Sequence, residues 1–345
     1  MKNHTTFPVC IGINRPLAHA GLPRSLLFSA LLFAVAPGTA LAQGDAYPSR
    51  PITIISTFSA GSGPDAMMRA VAEKVAQTWK QPVVIDNRPG GAGFIAINAA
   101  KAAAPDGYTL LMHDGEALSA LPYLYKNRQF KTFDTFAPVA ALYGTPFLVA
   151  VSATSKWKSM QDLLAAAKAK PESVSYGTWG VGSSIHLQSL LLASKAGAQM
   201  LHVPYKEMSQ LYTGVGVDDV TWSFGGLAST QFAYKAGKLR YLAVAAPKRI
   251  AQMPEVPTIA ESGGPADVHA SAFVALLAPK ATPAAITAKV NDAMRKAVAD
   301  PDIVARYANF SFDAIAWSPA ELQRAMEDRA VVYEQIIRQN GIVLE

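Results

Sequence analysis

Short apolar runs alternate along the chain with longer segments whose apolar residues recur every three or four positions. The runs are rich in Val, Ile and Leu, which favour strands, and the longer segments have the period of amphipathic helices. The predicted strands cover residues 52–55, 82–86, 108–112 and 146–151, and then 174–176, 199–203, 220–224 and 239–246. Alternating strands and helices are typical of parallel sheets covered by helices on both faces, so the pattern predicts an α/β fold.

Capping residues mark where several of the helices begin. Pro64 suits the first position of a helix, because the N–H that proline lacks would have no partner there. The inner face of this helix repeats every four residues, at Met67, Val71, Val75 and Trp79. Ser159 begins a capping-box pattern, and Ser318 begins another with proline next to it. The last helix is therefore expected to run from Ser318 to about Gly341.

Three glycine-containing turns each follow a predicted strand and precede a predicted helix. They read FSAGSGPD at 58–65, DNRPGGAGFIA at 86–96 and GTWGVGSSIH at 177–186. Such a turn leaves backbone N–H groups and the positive end of the helix dipole free to hold an anion. A tight strand-to-helix connection has the same composition, so each turn alone fits both interpretations. None has the spacing of a dinucleotide or P-loop motif, and no cofactor is expected.

The first and third turns belong to two separate sets of strands and helices. We therefore expect two doubly wound lobes with a ligand cleft between them. Lobe 1 is expected to comprise residues 46–148 and 271–345, and lobe 2 residues 149–270. The chain would then cross between the lobes near 146–151 and again near 270–278.

Residues 1–42 have the features of a secretory signal peptide. Three basic residues precede the apolar run SLLFSALLFAVA, and the segment ends in Ala-Leu-Ala at 40–42. The apolar run is shorter than the roughly 20 residues that span a bilayer, which favours a cleaved signal over a membrane anchor. We therefore expect a periplasmic protein whose mature chain begins near Gln43.

Cysteine usage and charge narrow the chemistry of the mature chain. Cys10 is the only cysteine and lies in the leader, so neither a disulfide nor a reactive thiol is expected. The formal charge of +6 includes the leader's basic residues, and no basic block carries interleaved aromatic residues. Nucleic acid is therefore not expected as a partner.

The side chains suggest neither catalysis nor metal binding. His186 falls in the first turns of a predicted helix, where a single histidine is usually a structural hydrogen-bonding group. The histidines lack the spacing of metal sites, and no Ser-His-Asp set or nucleophile elbow can be assigned. Phe58, Trp179 and Trp222 could line an aromatic pocket or could pack in the core. An exported hydrolase is the alternative from another functional class.

Ordered segments along residues 47–283 resemble the signature of one receptor family. They include YPSRPITIISTF, PVVIDNRPGGAG, PDGYTLL, YGTWGVGSSIHL, HVPYK, AGKLRYLAV and PEVPTIAESG. Together they resemble the Bug (TctC-like) extracytoplasmic solute receptors of tripartite tricarboxylate transporters. The resemblance implies a periplasmic binding protein of the Venus-flytrap, type II-like class, which binds its ligand without converting it.

The resemblance also implies partners and a ligand site. Receptors of this family bind small carboxylates largely through backbone amides and helix ends, and they serve membrane permease subunits. We expect a monomer without cofactor or metal, and a receptor that reports to a sensor kinase is the alternative. The implied ligand-facing positions are Phe58, Ala60, Gly61, Ser62, Gly63, Gly91, Ala92, Gly93, Trp179, Gly180, Val181, Gly182, Ser183, Ser184, His186, Lys206, Phe224 and Gly225.

Three departures from the family pattern bear on the ligand. Pro64 has no N–H to donate, and Glu207 replaces a glycine after the PYK segment. Where many relatives carry Asp, this chain has Thr221 and Gly225, so a ligand's ammonium group would lack a partner. We expect aromatic or medium-length dicarboxylates to bind best, aliphatic monocarboxylates next, and glutamate or aspartate last. The aromatic preference depends on Trp179 and Trp222 facing the cleft.

Overall fold

The computed structural model describes residues 47–345, and the predicted signal peptide, 1–42, lies outside the described residues. The strands are β1 (Ile52–Ser56), β2 (Val83–Asn87), β3 (Thr109–Asp114), β4 (Phe136–Pro146), β5 (Leu148–Ser152), β6 (Ser175–Thr178), β7 (Leu201–Pro204), β8 (Trp222–Gly225), β9 (Leu239–Val244), β10 (Ser271–Pro279) and β11 (Asp313–Ala314). The helices are α1 (Gly63–Trp79), α2 (Phe94–Lys101), α3 (Gly115–Leu124), α4 (Thr132–Thr135), α5 (Met160–Ala169), α6 (Ser184–Ala196), α7 (Met208–Gly216), α8 (Leu227–Lys235), α9 (Ala284–Val298), α10 (Pro301–Ala308) and α11 (Pro319–Gln339).

The first sheet has the strand order β11-β4-β10-β3-β1-β2. Its β2-β1-β3 part is parallel, and Ile54 lies opposite Ile85 on one side and Leu110 on the other. Strand β10 is antiparallel to both β3 and β4. The parallel sheet expected from the alternation of strands and helices is therefore found only in part, because β4 leads the chain out of this sheet to β5 and β10 brings it back after β9.

The second sheet has the strand order β7-β6-β8-β5-β9. Strand β6 is parallel to β7 and β8, whereas β5 is antiparallel to β8 and β9. Each sheet thus combines a parallel core of three strands with antiparallel strands near the point where the chain enters or leaves it.

The chain passes between the two sheets at two adjacent points. Phe147 separates β4 from β5, and its N–H donates to the carbonyl of Ala270, 2.8 Å away, just before β10. Ala270 in turn donates to Ala245, and Ala245 donates to Phe147, so the crossing segments are bonded side by side. The described residues, 47–345, form one compact unit. The lobe boundaries predicted at 148/149 and 270/271 stay a prediction.

Local sequence explains the helices that cover the first sheet. The hydroxyl of Ser62 accepts from Asp65 N–H at the start of α1, and Met68 and Val71 on its inner face are fully buried. Burying a side chain of this size contributes about 1.5–3 kcal/mol. At α11, the side chains of Ser318 and Glu321 form a complete capping box.

Helix α6 joins the two halves of the fold. The first half is the first sheet with its helices, including the C-terminal α11, and the second half is the second sheet with its helices. Helix α6 lies between strands of the second sheet in the chain, yet its Leu187 packs in a buried cluster with Leu124 of α3 and Ile336 and Ile337 of α11. Within residues 47–345, no helix is both long and apolar enough to cross a lipid bilayer.

Candidate functional site

The first and second glycine turns lie at one edge of the first sheet. In the parallel strands β1, β2 and β3, Ser56 is opposite Asn87 on one side and Met112 on the other. The carboxyl ends of all three strands therefore meet at the same edge, which is where open α/β sheets bind ligands. Helices α1, α2 and α3 begin at this edge, which we call the first edge.

The third glycine turn lies at the corresponding edge of the second sheet. Gly177 of β6 is opposite Val203 of β7 and Ser223 of β8, in parallel register. The carboxyl ends of these strands bring the turn 179–184, Lys206 and Gly225 to one edge, which we call the second edge. These residues are far apart in the sequence, and the sheet topology brings them together.

The first turn uses much of its own hydrogen-bonding capacity. Gly61 N–H donates to Asp65 Oδ2, 2.8 Å away, and Ser62 N–H donates to the carbonyl of Ser59. Phe58 N–H is held by the hydroxyl of Ser56. Among the described residues, the N–H groups of Ser59, Ala60 and Gly63 are therefore the turn's donors without an assigned partner.

Asp65 fixes the shape of the first turn. Its buried carboxylate also accepts from Arg69 Nε at 3.0 Å and from the side-chain amide of Asn87 at 2.8 Å, and that amide donates to the carbonyl of Phe58 as well. Burial alone would raise the pKa of Asp65, but the bonds from Arg69, Gly61 and Asn87 hold it below its ordinary value. The carboxylate is therefore fully engaged in the turn and is not free to bind a cation.

The second turn packs directly on a buried histidine. Gly93, with φ +88°, leaves room for His113, whose Nε2 would be 2.3 Å from a Cβ at this position. His113 Nδ1 donates to the carbonyl of Asp114, so Nε2 is an unprotonated acceptor, and burial lowers the pKa of the ring to about 4. A larger residue at Gly93 would displace the turn or the histidine.

The third turn differs, because it leaves the start of α6 open. Ser183 occupies the N-cap position, but its hydroxyl donates to the carbonyl of Gly180 at 2.7 Å and makes no capping bond to the helix. The N–H groups of Ser184, Ile185 and His186 therefore lack the capping partner that such groups usually find. Free donors at the positive end of a helix are an arrangement that commonly binds anions, so this turn stays a candidate carboxylate site.

His186 holds the third turn through a hydrogen bond to its backbone. Its Nδ1 accepts from Gly182 N–H at 3.0 Å, and its ring stacks on His202 with 4.1 Å between centroids. Burial, with a smaller contribution from His202, lowers the pKa of His186 to about 3. The ring is therefore neutral at physiological pH, and its engaged Nδ1 fits a structural role. Within residues 47–345, no group of His, Cys, Asp and Glu is arranged to hold a metal ion.

A second uncapped helix begins beside the third turn. Gly226 is the N-cap of α8 and has no side chain to satisfy the first N–H groups of the helix. A Cβ on Gly226 would lie 3.3 Å from the hydroxyl of Thr145 on β4. Ala228, in the first turn of α8, packs against the hydrophobic cluster of the first sheet. The second edge thus reaches the first half of the fold at α8.

Comparison with known proteins identifies the family. The family model described as "Tripartite tricarboxylate transporter family receptor", TctC, matches residues 67–342. The chain belongs to this family.

Similar proteins match over nearly the whole chain. A UPF0065 protein from the tcbD-tcbE intergenic region of Pseudomonas sp. strain P51 is 30% identical and covers 92% of this chain and 95% of its own. BugT from Bordetella pertussis is 29% identical, with 94% and 99% covered.

Solved structures of TctC-type receptors show the same fold. The periplasmic binding protein BugD has 25% identity and a TM-score of 0.71 over 86% of this chain and 100% of its own. A Rhodopseudomonas palustris protein solved with adipate has 26% identity and a TM-score of 0.75 over 86% and 100%. MatC from the same species, with bound malate, has 25% identity and a TM-score of 0.72 over 84% and 100%. The predicted family and fold class are confirmed, and the protein is a receptor, not an enzyme.

Of the two interpretations given for the aromatic residues of this TctC receptor, core packing describes Trp222 and Phe224. Trp222 is fully buried between Tyr176 and Phe224, with ring centroids 5.8 and 5.1 Å away. The ring of Phe224 is also fully buried, and it offers no surface to a ligand. Trp179 is half-buried against the same core. Strand β8 is central in the second sheet. Trp222 and Phe224 are two residues apart, so they face the same covered side of the sheet, which explains why both rings are buried.

Thr221 and Gly225, the two positions where many relatives were expected to carry Asp, lie in different places. Thr221 precedes β8 at its amino end, away from the second edge, and its hydroxyl bonds with Ser175. It is therefore too far along the strand to replace a ligand-binding Asp at the second edge. Gly225 does lie at that edge, but a Cβ there would meet Thr230 and Tyr212 at 2.5 Å. This glycine is required for packing, and its backbone is all it can offer a ligand.

The remaining predicted positions differ in exposure. Val181 is 45% exposed. The other exposed positions are Ala60 and Gly61 of the first turn, Gly91 and Ala92 of the second turn, and Lys206. Gly182, in contrast, is buried, and a Cβ there would lie 2.9 Å from Leu124 of α3 and 2.9 Å from Leu344. The third turn therefore contacts the first half of the fold through Gly182.

Two further segments that connect a strand to a helix were not selected as turns from the sequence. The segment HDGEA follows the third predicted strand, and Asp114 in it caps α3 by accepting from Glu116 N–H and Ala117 N–H. Burial raises the pKa of Asp114 to about 6. The segment GGLAS, which begins α8, follows VTWSF in the same way. Both have the strand, small-residue and helix order of the three turns we selected, so the same pattern could have found them.

A wide groove elsewhere does not have the features of a carboxylate site. It has a volume of about 780 Å³ and lies between α3, α4 and α11. Its walls include Tyr123, Phe130, Phe133 and Met326, and none of the predicted ligand positions. It lies away from the carboxyl ends of the parallel strands, so we place the candidate site of this TctC receptor at the two edges.

Proposed function

We propose that this protein is a periplasmic receptor that captures a small aliphatic dicarboxylate. The observation that carries the proposal is the uncapped N-terminus of α6, where Ser184, Ile185 and His186 have free N–H groups. A carboxylate accepts such bonds without needing a buried cation, and hydrogen bonds to charged groups contribute about 1.5–3 kcal/mol each.

A second carboxylate would bind at the first edge. The unassigned N–H groups of Ser59, Ala60 and Gly63 are the donors proposed there. Two separated sets of backbone donors match a molecule with a charge at each end. The adipate and malate named for the two Rhodopseudomonas palustris structures are such molecules, which supports the proposal.

We propose a different ranking of ligands from the one expected from the sequence. Aromatic acids lose their advantage, because Trp222 is buried in the core. Amino acids remain disfavoured, but for a different reason. The buried carboxylates at the first edge are already engaged, Asp65 by Arg69 and Asp114 by the start of α3, so an ammonium group would find no free buried partner among them.

Calorimetric titration with three matched ligands tests the proposal. Adipate has two carboxylates, hexanoate has one on the same six-carbon chain, and 2-aminoadipate adds an ammonium group. We expect adipate to bind at least tenfold more tightly than either of the others, a difference of about 1.4 kcal/mol. Equal binding of hexanoate would contradict the two-ended site, and equal binding of 2-aminoadipate would contradict the argument from engaged carboxylates.

We further propose that the receptor delivers its ligand to permease subunits of a tripartite transporter. Membership in a family described as transporter receptors supports this partner, and the predicted leader supports export. Sequencing the secreted protein should give a start near Gln43. Loss of ligand uptake in cells lacking the receptor is the expected result; normal uptake with a lost transcriptional response would instead favour a sensor-kinase partner.

A further inference from the structure

A chain of buried polar side chains connects the two halves of the fold away from the candidate site. Glu116 of α3 is fully buried, and Tyr333 of α11 donates its hydroxyl to Glu116 Oε2. Gln188 of α6 donates to the hydroxyl of Tyr333 at 3.2 Å and to the carbonyl of Ser271 at 2.8 Å. The chain therefore links α3 and α11 to α6 and ends at the segment where the backbone crosses between the sheets.

The position of this chain makes it suited to control lobe arrangement. Gln188 lies between strands of the second sheet in sequence, whereas Glu116 and Tyr333 belong to helices of the first half. Ser271 is the first residue of β10, directly after the bonded crossing at Ala270. Any rotation of one half relative to the other must change the contacts of Gln188, because its two acceptors lie on the first half and on the crossing segment.

Every charged group that faces Glu116 affects its ionisation. Burial raises the pKa of Glu116 to about 7, and Asp114 at the start of the same helix adds to the rise. From α11, the Nε of Arg329 lies 3.2 Å from Glu116 Oε1, and this charge and the Tyr333 hydroxyl oppose the rise. Gln188, from α6, is uncharged. The carboxyl group therefore exchanges its proton within the physiological range of pH.

Proton uptake would weaken the contacts on both sides of Glu116. A neutral carboxyl no longer attracts Arg329, whose side chain is 33% exposed and can turn to solvent. It is also a weaker acceptor for the Tyr333 hydroxyl, because bonds to ionised acceptors are the stronger ones. Both changes loosen α11 from α3, and Tyr333 is the residue through which α6 is held.

We propose that Glu116, Tyr333 and Gln188 act as a proton-sensitive link that sets the arrangement of the two lobes. The ionised link holds one arrangement, and protonation of Glu116 allows a wider range. The inference deepens the proposed function, since it concerns the lobe movement on which ligand capture depends, and these are positioning residues that touch no ligand.

A distance measurement between the two halves tests the link without any ligand. The chain after residue 42 has no cysteine, so Lys101→Cys on α2 and Lys168→Cys on α5, both exposed positions, can carry a pair of spin labels. Double electron–electron resonance then gives the distribution of label distances at pH 8.5 and pH 5.5. We expect a narrow distribution at pH 8.5 and a distribution at least 1.5 times as wide at pH 5.5.

Three further variants separate the link from other effects. Glu116→Gln should give the wide distribution at both pH values, and Tyr333→Phe should do the same through the Gln188 contact. The matched control is Tyr307→Phe, which removes a buried hydroxyl that has no partner among the described residues and should behave as wild type. If Glu116→Gln does not fold, Tyr333→Phe still tests the link.

Two results would overturn the inference. One is a wild-type distribution that is the same at both pH values. The other is a pH response that persists in Glu116→Gln, which would assign it to Asp114 or another group. Neither result depends on ligand binding, so failure of the link and failure of the proposed dicarboxylate function are distinguishable by titrating wild-type protein with adipate at pH 8.5.

Discussion

The first and second edges differ in how most of their helices start. At the first edge, Ser62 caps α1 and Asp114 caps α3, and Pro64 has no N–H at the start of α1, whereas α2 begins after Gly93 without a side-chain cap. At the second edge, α6 and α8 begin without any side-chain capping bond. An uncapped helix start costs stability, typically about 1 kcal/mol, unless another acceptor takes its place.

This difference assigns separate tasks to the two edges. The second edge keeps its donors free, so we expect it to provide most of the binding energy for a carboxylate. The first edge uses the N–H groups of Phe58, Gly61 and Ser62 internally, and the Asp65 network gives it a fixed shape. It is expected to determine which ligand lengths fit.

The largest expected effect comes from placing a proline in the first turn of α6, as α1 already has. Ser184→Pro removes one N–H at the first position of α6, where proline is well tolerated. Ser183 has the extended backbone, with ψ 159°, that a residue before proline prefers. Because a bond to a charged acceptor is lost, we expect adipate affinity to fall about tenfold to hundredfold in calorimetric titration.

The reverse change provides the control for Ser184→Pro. Pro64→Ser adds an N–H at the start of α1, where Ser62 already caps the helix. We expect adipate affinity to stay within about threefold of wild type, since 1.4 kcal/mol is needed for a tenfold change. A tenfold gain would show that the first edge, too, holds a charge mainly through its helix start.

The second prediction concerns the contact between the third turn and the first half. Gly182 has φ +78°, and a Cβ there would lie 2.9 Å from Leu124 and Leu344. We expect Gly182→Ala to reduce the free energy of unfolding by about 2–3 kcal/mol, from backbone strain and overpacking together. Gly180, with φ +128° and open space around it, is the matched site, where only the strain of about 1–2 kcal/mol applies. Urea denaturation measures both, and equal losses would show that the Leu124 contact is easily relaxed.

The third prediction tests the fixed shape of the first edge. Asp65→Asn removes the charge that binds Arg69 and one acceptor for Gly61 N–H, and we expect a loss of about 1–2 kcal/mol of unfolding free energy at pH 7. The pKa of Asp65 is lower in the folded protein than in the unfolded chain. Its contribution is therefore present above the unfolded value and is lost as the pH falls through the folded one. The difference between wild type and variant should begin to shrink near the ordinary pKa of about 4 and should vanish only below the folded pKa of Asp65; a constant difference at all pH values would contradict the charged network.

Eight of the described strands and the three glycine turns were predicted because each signal there is local, whereas β4, β10 and β11 were not predicted. A run such as ITII, a glycine turn and a capped helix are written in adjacent residues, and parallel strands then bring their carboxyl ends together by topology. The direction of β10 and β4 was not predicted, because it depends on two chain crossings between sheets. A pattern of apolar residues does not indicate which strands pair with one another.

The site was predicted in part for the same reason. The three turns were found, but the burial of Trp222 depends on which side of a short strand it faces, and four residues do not fix that. The Asp65 network needs Asn87 from the next strand, and the Glu116 link needs helices from distant parts of the chain. Such contacts follow only from the packed structure.

The smallest expected effects come from replacing serine with alanine at the N-cap of α1 and at the N-cap of α6. The two variants compare the first edge with the second. Ser62→Ala removes a capping bond to Asp65 N–H, so we expect a loss of about 1 kcal/mol in unfolding free energy and little change in affinity. Ser183→Ala removes no capping bond. It removes the hydroxyl that ties the third turn to the carbonyl of Gly180, and we expect about threefold weaker adipate binding with a stability loss of roughly 0.5 kcal/mol. Thermal unfolding and titration of both variants should therefore rank them in opposite orders. If Ser62→Ala weakens adipate more than Ser183→Ala does, the second edge is not the one that provides most of the binding energy.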